Sequence, residues 1–125
     1  FHGIRVKPGM PTMLSVVEDI PVLSLSGNPF AVAALFELLA GGYLADRAEE
    51  VYIQKKETKV LRQTFVKTGK PKRIVKGKCD EEGVFLPQIQ RNGQLKNGIG
   101  SNCLVVFPEG ERTYPEGEKV QVIRI

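Results

Sequence analysis

Apolar and polar positions change their rhythm near residues 43–50 of this 125-residue chain. Before that point the pattern reads strand, strand, helix. Ile4 to Val6 is a short apolar run followed by Lys7-Pro8-Gly9. Residues 12–26 read as two strands joined at a tight turn, Glu18-Asp19. The second strand runs into Gly27-Asn28-Pro29, and a helix is predicted from Pro29 to Ala40. Asn28 suits the N-cap, where its side-chain oxygen accepts from amides of the first turn. Pro29 suits the first helical position, where a missing N–H costs nothing. Gly41 and Gly42 are expected to end the helix. Gly27 either takes positive φ or lets a ligand approach the backbone.

After residue 48 the pattern reads as β throughout. Short strands are predicted at Val51 to Ile53, Lys59 to Lys67, Arg73 to Cys79, Val84 to Leu86, Cys103 to Phe107 and Lys119 to Ile125. Thr68–Pro71 and Asp80–Gly83 are turns, the 92–102 segment is a glycine-rich connector, and residues 108–118 carry two Pro-Glu-Gly turns. Close-spaced short strands with polar turns suggest a small antiparallel barrel or sandwich.

The predicted helix is apolar on nearly every side, with Glu37 its one charge. Such a helix is covered on more than one side. Fifty residues do not readily cover it, which implies further sheet and helices, or a second copy of the chain. Phe1 starts mid-pattern, so the sequence is expected to be a piece of a longer protein. No apolar run reaches the roughly 20 residues of a membrane span, and no signal peptide is visible.

Charge sharpens the division. The net charge is +4, with 3 Lys/Arg against 6 Asp/Glu in residues 1–50, and 12 against 4 in residues 51–100. The block from Gln54 to Lys78 alone holds ten cations. An anionic partner is one reading. A solvated face of strands, with lysines guarding edges against aggregation, is the other. A nucleic-acid module would need stacking aromatics, and the block has only Phe65.

Nucleophile–base chemistry is poorly served, because His2 is the sole histidine. Cys79 and Cys103 lack CxxC spacing, so no zinc site is assembled. They read as two free buried thiols, with a disulfide between them left open. What remains is a set of candidate anion contacts: Lys7 and the Gly27-Asn28 amides, expected at the same carboxyl edge of a sheet, and the lysines of the barrel. A helix N-terminus carries about half a positive charge and attracts oxyanions. Ordinary capping and a solvated lysine account for the same residues.

The stretches "VKPGMPTML" and "PVLSLSGNPFAVAALFELL" resemble the MoeA/gephyrin family of molybdopterin molybdenumtransferases, whose pattern is near K-P-G-K-P, then G-L-P-G-N-P-V-S and a helix. "QLKNGIGSNCLVVFPEGERTYPEGEKVQVIRI" is similar to that family's carboxyl-terminal β-barrel. The resemblance covers nearly the whole chain. It implies an α+β chain: residues 1–46 as the C-terminal piece of a molybdopterin-binding α/β domain (MogA/MoaB-like), and residues 48–125 as the antiparallel barrel. It implies a cytoplasmic homodimer that inserts molybdate into adenylylated molybdopterin with magnesium, releasing AMP. A molybdopterin-adenylylating protein is an implied partner; a membrane and nucleic acid are not. The acidic metal-binding motifs would lie upstream, so neither catalytic nor metal residues are assigned here and the isolated chain is expected to be inactive.

By the same resemblance Lys7, Pro11, Gly27, Asn28 and Pro29 face the molybdate and pterin phosphate. Departures accompany these matches. Met10 stands where the family has a second lysine, Ser26 where it has proline, and Ala31 where a serine is common. Lys67 stands for an arginine, and Arg91 and Asn92 for small residues. Either Lys67 and Arg91 compensate for the missing lysine, or the chain is a divergent paralogue with a changed ligand; a paralogue that has lost catalysis and kept dimerisation is a further reading.

Overall fold

The computed structural model describes residues 1–49, 55–87 and 100–125. The chain divides into two compact units, Phe1–Tyr52 and Ile53–Ile125.

In the first unit, β1 (Val6–Lys7) leads into a loop and then a hairpin, β2 (Met13–Val17) and β3 (Ile20–Ser24). Hairpin register pairs Val17 with Ile20 and Met13 with Ser24. Its turn is Glu18-Asp19, at φ 49° and 64°, as the sequence predicts. Two left-handed residues match the twist of the flanking strands, and Asp tolerates that region.

The helix begins where expected but does not stop at Gly41. α1 (Pro29–Leu35) passes through a π-helical turn, Phe36–Ala40, into α2 (Gly41–Arg47). Gly41 keeps φ −55°, ψ −48°. Glycine permits a left-handed stop without requiring one, and Tyr43 and Leu44 extend the apolar pattern beyond it. The run Pro29–Arg47 is 19 residues, long and apolar enough by length and composition to cross a membrane. Yet it is tied into its own unit: Ala31, Ala34 and Leu35 are fully buried. A Cβ at Gly9 would fall 2.2 Å from Leu35 Cδ1, so the Lys-Pro-Gly loop lies flat against this helix. β2 and β3 are antiparallel. Among the described residues the first unit therefore holds no parallel sheet, and the α/β layer expected of residues 1–46 is not formed here.

The second unit is built on β4 (Lys56–Val60), β5 (Phe65–Lys67), β6 (Lys72–Asp80), β7 (Gly83–Phe85), β8 (Cys103–Phe107), β9 (Arg112–Tyr114) and β10 (Lys119–Arg124). Five form an antiparallel sheet in the order β7–β6–β8–β10–β4, while β5 and β9 pair as a separate ribbon. The strand expected from Lys59 to Lys67 is two strands: Leu61 N–H still donates to Glu118 O and its carbonyl accepts from Gly117 N–H just ahead of β10, but the next residue, Arg62, turns its N–H to the Val84 carbonyl. β9, inside the double Pro-Glu-Gly segment, is a strand that the turn signals conceal. Val51 to Ile53 and most of the glycine-rich connector lie outside the described residues.

The sheet curls until its edges touch at the parallel Leu61–Val84 bridge, where Arg62 N–H donates to the Val84 carbonyl at 3.0 Å. One bridge is not a continuous ladder, so the described strands form an open curled sheet with an added ribbon rather than a closed barrel. Its core gathers Leu61, Val75, Val84, Leu86, Val105, Phe107, Tyr114, Val120 and Val122 with both cysteines. Phe107 stacks on Phe65 at 4.4 Å and tilts against Tyr114 at 4.8 Å, joining ribbon to sheet.

Candidate functional site

The turn that enters α1 is set by its own residues. Asn28 Oδ1 accepts from Phe30 N–H (3.0 Å) and Ala31 N–H (3.2 Å), and its carbonyl accepts from Val32 N–H (3.0 Å). With Pro29 lacking an N–H, the first-turn amides are committed to the cap. An incoming anion therefore meets the helix dipole and the turn ahead of the cap, not the first helical turn. Gly27 is that point. It is exposed, and a Cβ built on it has no atom within 4 Å. Gly27 is not in the left-handed region, so its use here is open approach to the backbone rather than unusual φ.

Beside it, the Ser26 hydroxyl is buried and has no hydrogen-bond partner. These neighbours make opposite predictions. Asn28→Ala is expected to cost about 1 kcal/mol, the usual loss for an N-cap. Ser26→Ala is expected to be neutral or mildly stabilising, because a buried hydroxyl without a partner returns none of its desolvation cost. Thermal melting of the two variants checks the pair, and equal losses would contradict the assignment.

The second element is the loop from Lys7 to Thr12. It is closed by three backbone bonds: Gly3 N–H to Thr12 O (2.8 Å), Ile4 N–H to Met10 O (2.9 Å) and Thr12 N–H to Gly9 O (3.1 Å). Thr12, fully buried, adds its hydroxyl to the Gly9 carbonyl at 2.7 Å. The Lys7–Pro8 peptide is cis. Lys7 and Pro11 are exposed on this tied loop, as is Met10. Lys7, Pro11, Gly27, Asn28 and Pro29 thus belong to one unit, in which the Lys7 loop packs against the helix that Asn28 caps.

Lys67 is placed differently from the expectation. It is 2 % exposed, and its ammonium donates to the carbonyls of Gly69 (2.7 Å) and Gly110 (2.6 Å). Strand alternation puts Lys67 on the same face of β5 as Phe65, so its stem lies over the core. A buried ammonium persists only with partners, and two turn carbonyls supply them. Lys67 clamps the 68–71 turn to the 108–111 turn; it is not an outward-facing anion contact. Arg91 and Asn92 lie outside the described residues.

A further basic feature escaped the sequence reading. Arg112 lies over the Tyr114 ring at 4.5 Å and pairs with Glu118, beside a shallow concavity of about 260 Å³ that Lys72 and Lys119 also line. The Glu118 carboxylate holds the guanidinium more firmly protonated. Arg112, Tyr114, Glu118 and Lys119 are close in sequence, and Lys72 joins them from β6.

Among the described residues no three His, Cys, Asp or Glu side chains converge as metal ligands. The donor set for magnesium is not found in them.

Comparison with known proteins decides what this arrangement belongs to. The sequence profile of the MoeA C-terminal region (domain IV) matches residues 60–125. The chain belongs to the MoeA family. A molybdopterin biosynthesis protein of Methanocaldococcus jannaschii is 31% identical over 121 residues, 97% of this chain and 28% of the relative. The molybdopterin molybdenumtransferase of Bacillus subtilis is 25% identical over 134 residues, 100% of this chain and 30% of the enzyme. The crystal structure of the MoeA protein from Pyrococcus horikoshii OT3 superposes with TM-score 0.83 at 25% identity, covering 100% of this chain and 32% of that one. A molybdenum cofactor biosynthesis protein from Pyrococcus furiosus gives TM-score 0.79 at 27% identity, covering 45% of its length. The chain spans about a third of the curated MoeA relatives. Its mixed α+β architecture, mostly strands with one long helix, is that of the MoeA structures.

Proposed function

We propose that this chain is the carboxyl-terminal part of a molybdopterin molybdenumtransferase, which inserts molybdate into adenylylated molybdopterin during molybdenum cofactor biosynthesis. The observation that carries the site assignment is the open Gly27 turn at the head of a capped helix, in the same unit as the tied Lys7 loop. Molybdate and the pterin phosphate are both compact oxyanions. Lys7 contributes a full positive charge on a loop held by its own backbone bonds. The Gly27-Asn28 turn contributes a helix dipole and close backbone approach. Charge placed before the reaction costs no reorganisation during it. Met10 removes one cation from this set and Ala31 one hydroxyl, so Lys7 carries a larger share of the anion's charge than it would beside a second lysine. Magnesium and the acidic groups that bind it belong, in this reading, to upstream parts of the longer protein. The second unit is then the barrel-like domain of the family, and residues near 47 divide it from the pterin-binding piece.

Exposed apolar side chains support further cover over the first unit. Val16, Val17, Ile20 and Val22 on the hairpin, and Phe36, Leu39, Tyr43 and Leu44 along the helix, are more than a third exposed. The missing sheet of the α/β domain, with a homodimeric partner beyond it, is the occupant this reading assigns. A cytoplasmic setting follows from the same assignment.

The nucleic-acid reading, which draws on the ten cations of Gln54–Lys78, is weakened further. Phe65, the only aromatic of the basic block, is stacked inside on Phe107 and is not offered to bases. Part of the block is also neutralised: Arg62 pairs with Asp80 and Glu82, and Lys59 with Glu57.

The test is molybdate-dependent cofactor formation by the longer protein carrying Lys7→Ala. Loss of one positioned charge-assisted contact is expected to lower the rate about 100-fold, with the melting temperature unchanged because Lys7 is exposed. An unchanged rate would overturn the assignment.

A further inference from the structure

We propose that Cys79 and Cys103 form a latent intrachain disulfide, a modification site of the second unit that the proposed transfer chemistry does not use. The two sulfurs are 2.8 Å apart although 24 residues separate them in sequence. Both thiols are free and buried.

The reach is built into the sheet. β6 and β8 pair antiparallel, with Gly77 opposite Cys103. Glycine there makes room, since a Cβ at Gly77 would fall 3.1 Å from Cys103 Sγ and 2.9 Å from methyls of Val84 and Val105. Asn102 then fixes the backbone on both sides. Its Oδ1 accepts from Cys79 N–H (2.7 Å), its Nδ2 donates to the Cys79 carbonyl (2.9 Å), and its own N–H donates to Gly77 O (3.1 Å). The residue before one cysteine therefore holds the main chain of the other. A disulfide needs its sulfurs at about 2.05 Å, and the remaining gap lies within side-chain rotation.

The oxidant is a small peroxide, and the electrons balance. One thiol is oxidised to a sulfenic acid as the O–O bond breaks and one water leaves. The second thiol then displaces hydroxyl from that sulfur, forming S–S and a second water. Two electrons pass from the sulfur pair to the peroxide. Burial raises the Cys103 thiol far above its ordinary range, and the Cys79 hydrogen bond adds to this, while Arg124 on β10 pulls the other way. The first oxidation is consequently slow, but the sulfenic acid has its resolving thiol already in contact. Over-oxidation is thereby disfavoured.

The experiment treats the folded chain with one equivalent of hydrogen peroxide, then unfolds it in an alkylating agent and weighs it. The expected product is a monomer lighter by two hydrogens, unalkylated, with the Cys79 and Cys103 peptides linked. The first oxidation is slower in the fold than in urea, but the ratio of the intrachain link to over-oxidised and intermolecular products should be at least about tenfold higher than for the same chain in urea, because the fold holds the thiols together. The melting temperature of the linked chain should rise by roughly 10 °C and return on reduction, since the closed loop restricts the denatured chain. Cys79→Ser should show neither the mass loss nor the thermal shift. Two alkylated thiols, added oxygen without linkage, intermolecular dimers, or a link no more favoured over those products when folded would each overturn the proposal. The measurement on the unsubstituted chain stands even if the serine variant does not fold.

Discussion

Phe107→Ala is expected to unfold the second unit, or to leave it barely stable. Phe107 is fully buried at the junction of sheet and ribbon, with Phe65 on one side and Tyr114 on the other. Truncating such a ring costs about 3–5 kcal/mol through lost transfer free energy and the cavity left behind. Small domains have only about 5–15 kcal/mol in total, so little remains. The loss should be larger than average because Phe107, on the sheet, touches a ring from each strand of the ribbon, Phe65 on β5 and Tyr114 on β9. Urea unfolding followed by far-ultraviolet circular dichroism measures the effect. The midpoint should fall sharply, and the slope should hold if unfolding stays two-state. A shift worth less than about 1 kcal/mol would mean that ribbon and sheet are joined by something other than this ring.

Gly83→Ala is the second large effect, and it isolates a backbone constraint from a packing one. Gly83 has φ +142°, where side chains are rarely tolerated, and a Cβ there would lie 2.3 Å from the Val60 carbonyl oxygen. That oxygen is main chain at the end of β4 and cannot rotate away. The residue is held in place because Asp80 Oδ1 accepts from Glu82 N–H (2.8 Å) and Gly83 N–H (3.2 Å). Strained backbone of this kind costs about 1–3 kcal/mol, and forced displacement of packed structure adds about 1–3 kcal/mol. Gly9→Ala is the comparison. Its φ is +112° and its Cβ would lie 2.2 Å from Leu35 Cδ1, the movable end of a side chain. Gly83→Ala should therefore be the more damaging substitution, despite nearly equal clash distances. Melting temperatures of the two variants decide the order; a milder effect at Gly83 would show that the β6–β7 turn does not sit against β4.

Much of the fold is legible because its signals are local. Asn28 and Pro29 announce a helix start through the chemistry of one turn. Glu18-Asp19 and Asp80–Gly83 announce turns through short side chains that suit left-handed backbone or bond it. Cys103 to Phe107 is apolar enough to be a central strand, and it is one. The errors arise where a residue permits several outcomes. Gly41 and Gly42 can end a helix, but the continuing apolar face at Tyr43 and Leu44 outweighs that option. The alternation from Lys59 to Lys67 cannot reveal that the chain changes its bonding partner at Arg62. β9 is three residues between turn-forming segments, too short to carry a period.

The site divides in the same way. The Gly27 turn was readable from its own residues, although Gly27 contributes openness rather than an unusual φ. Lys67 was not readable. A lysine in a polar, alternating segment looks solvated, and its burial depends on Gly69 and Gly110, the latter 43 residues away. The cysteine pair has the same character: spacing left its state open, and only the β6–β8 register brings the sulfurs together.

The central claim is that the turn before α1 and the Lys7 loop receive an oxyanion. Its most direct test is an amide-resolved NMR titration of the chain with sodium molybdate, competed with sulfate. The predicted result is saturable shifts concentrated at Gly27 and Asn28 and around Lys7, reduced in Lys7→Ala. Shifts confined to the basic strands around Lys70–Lys78, or none above the sulfate background, would contradict it.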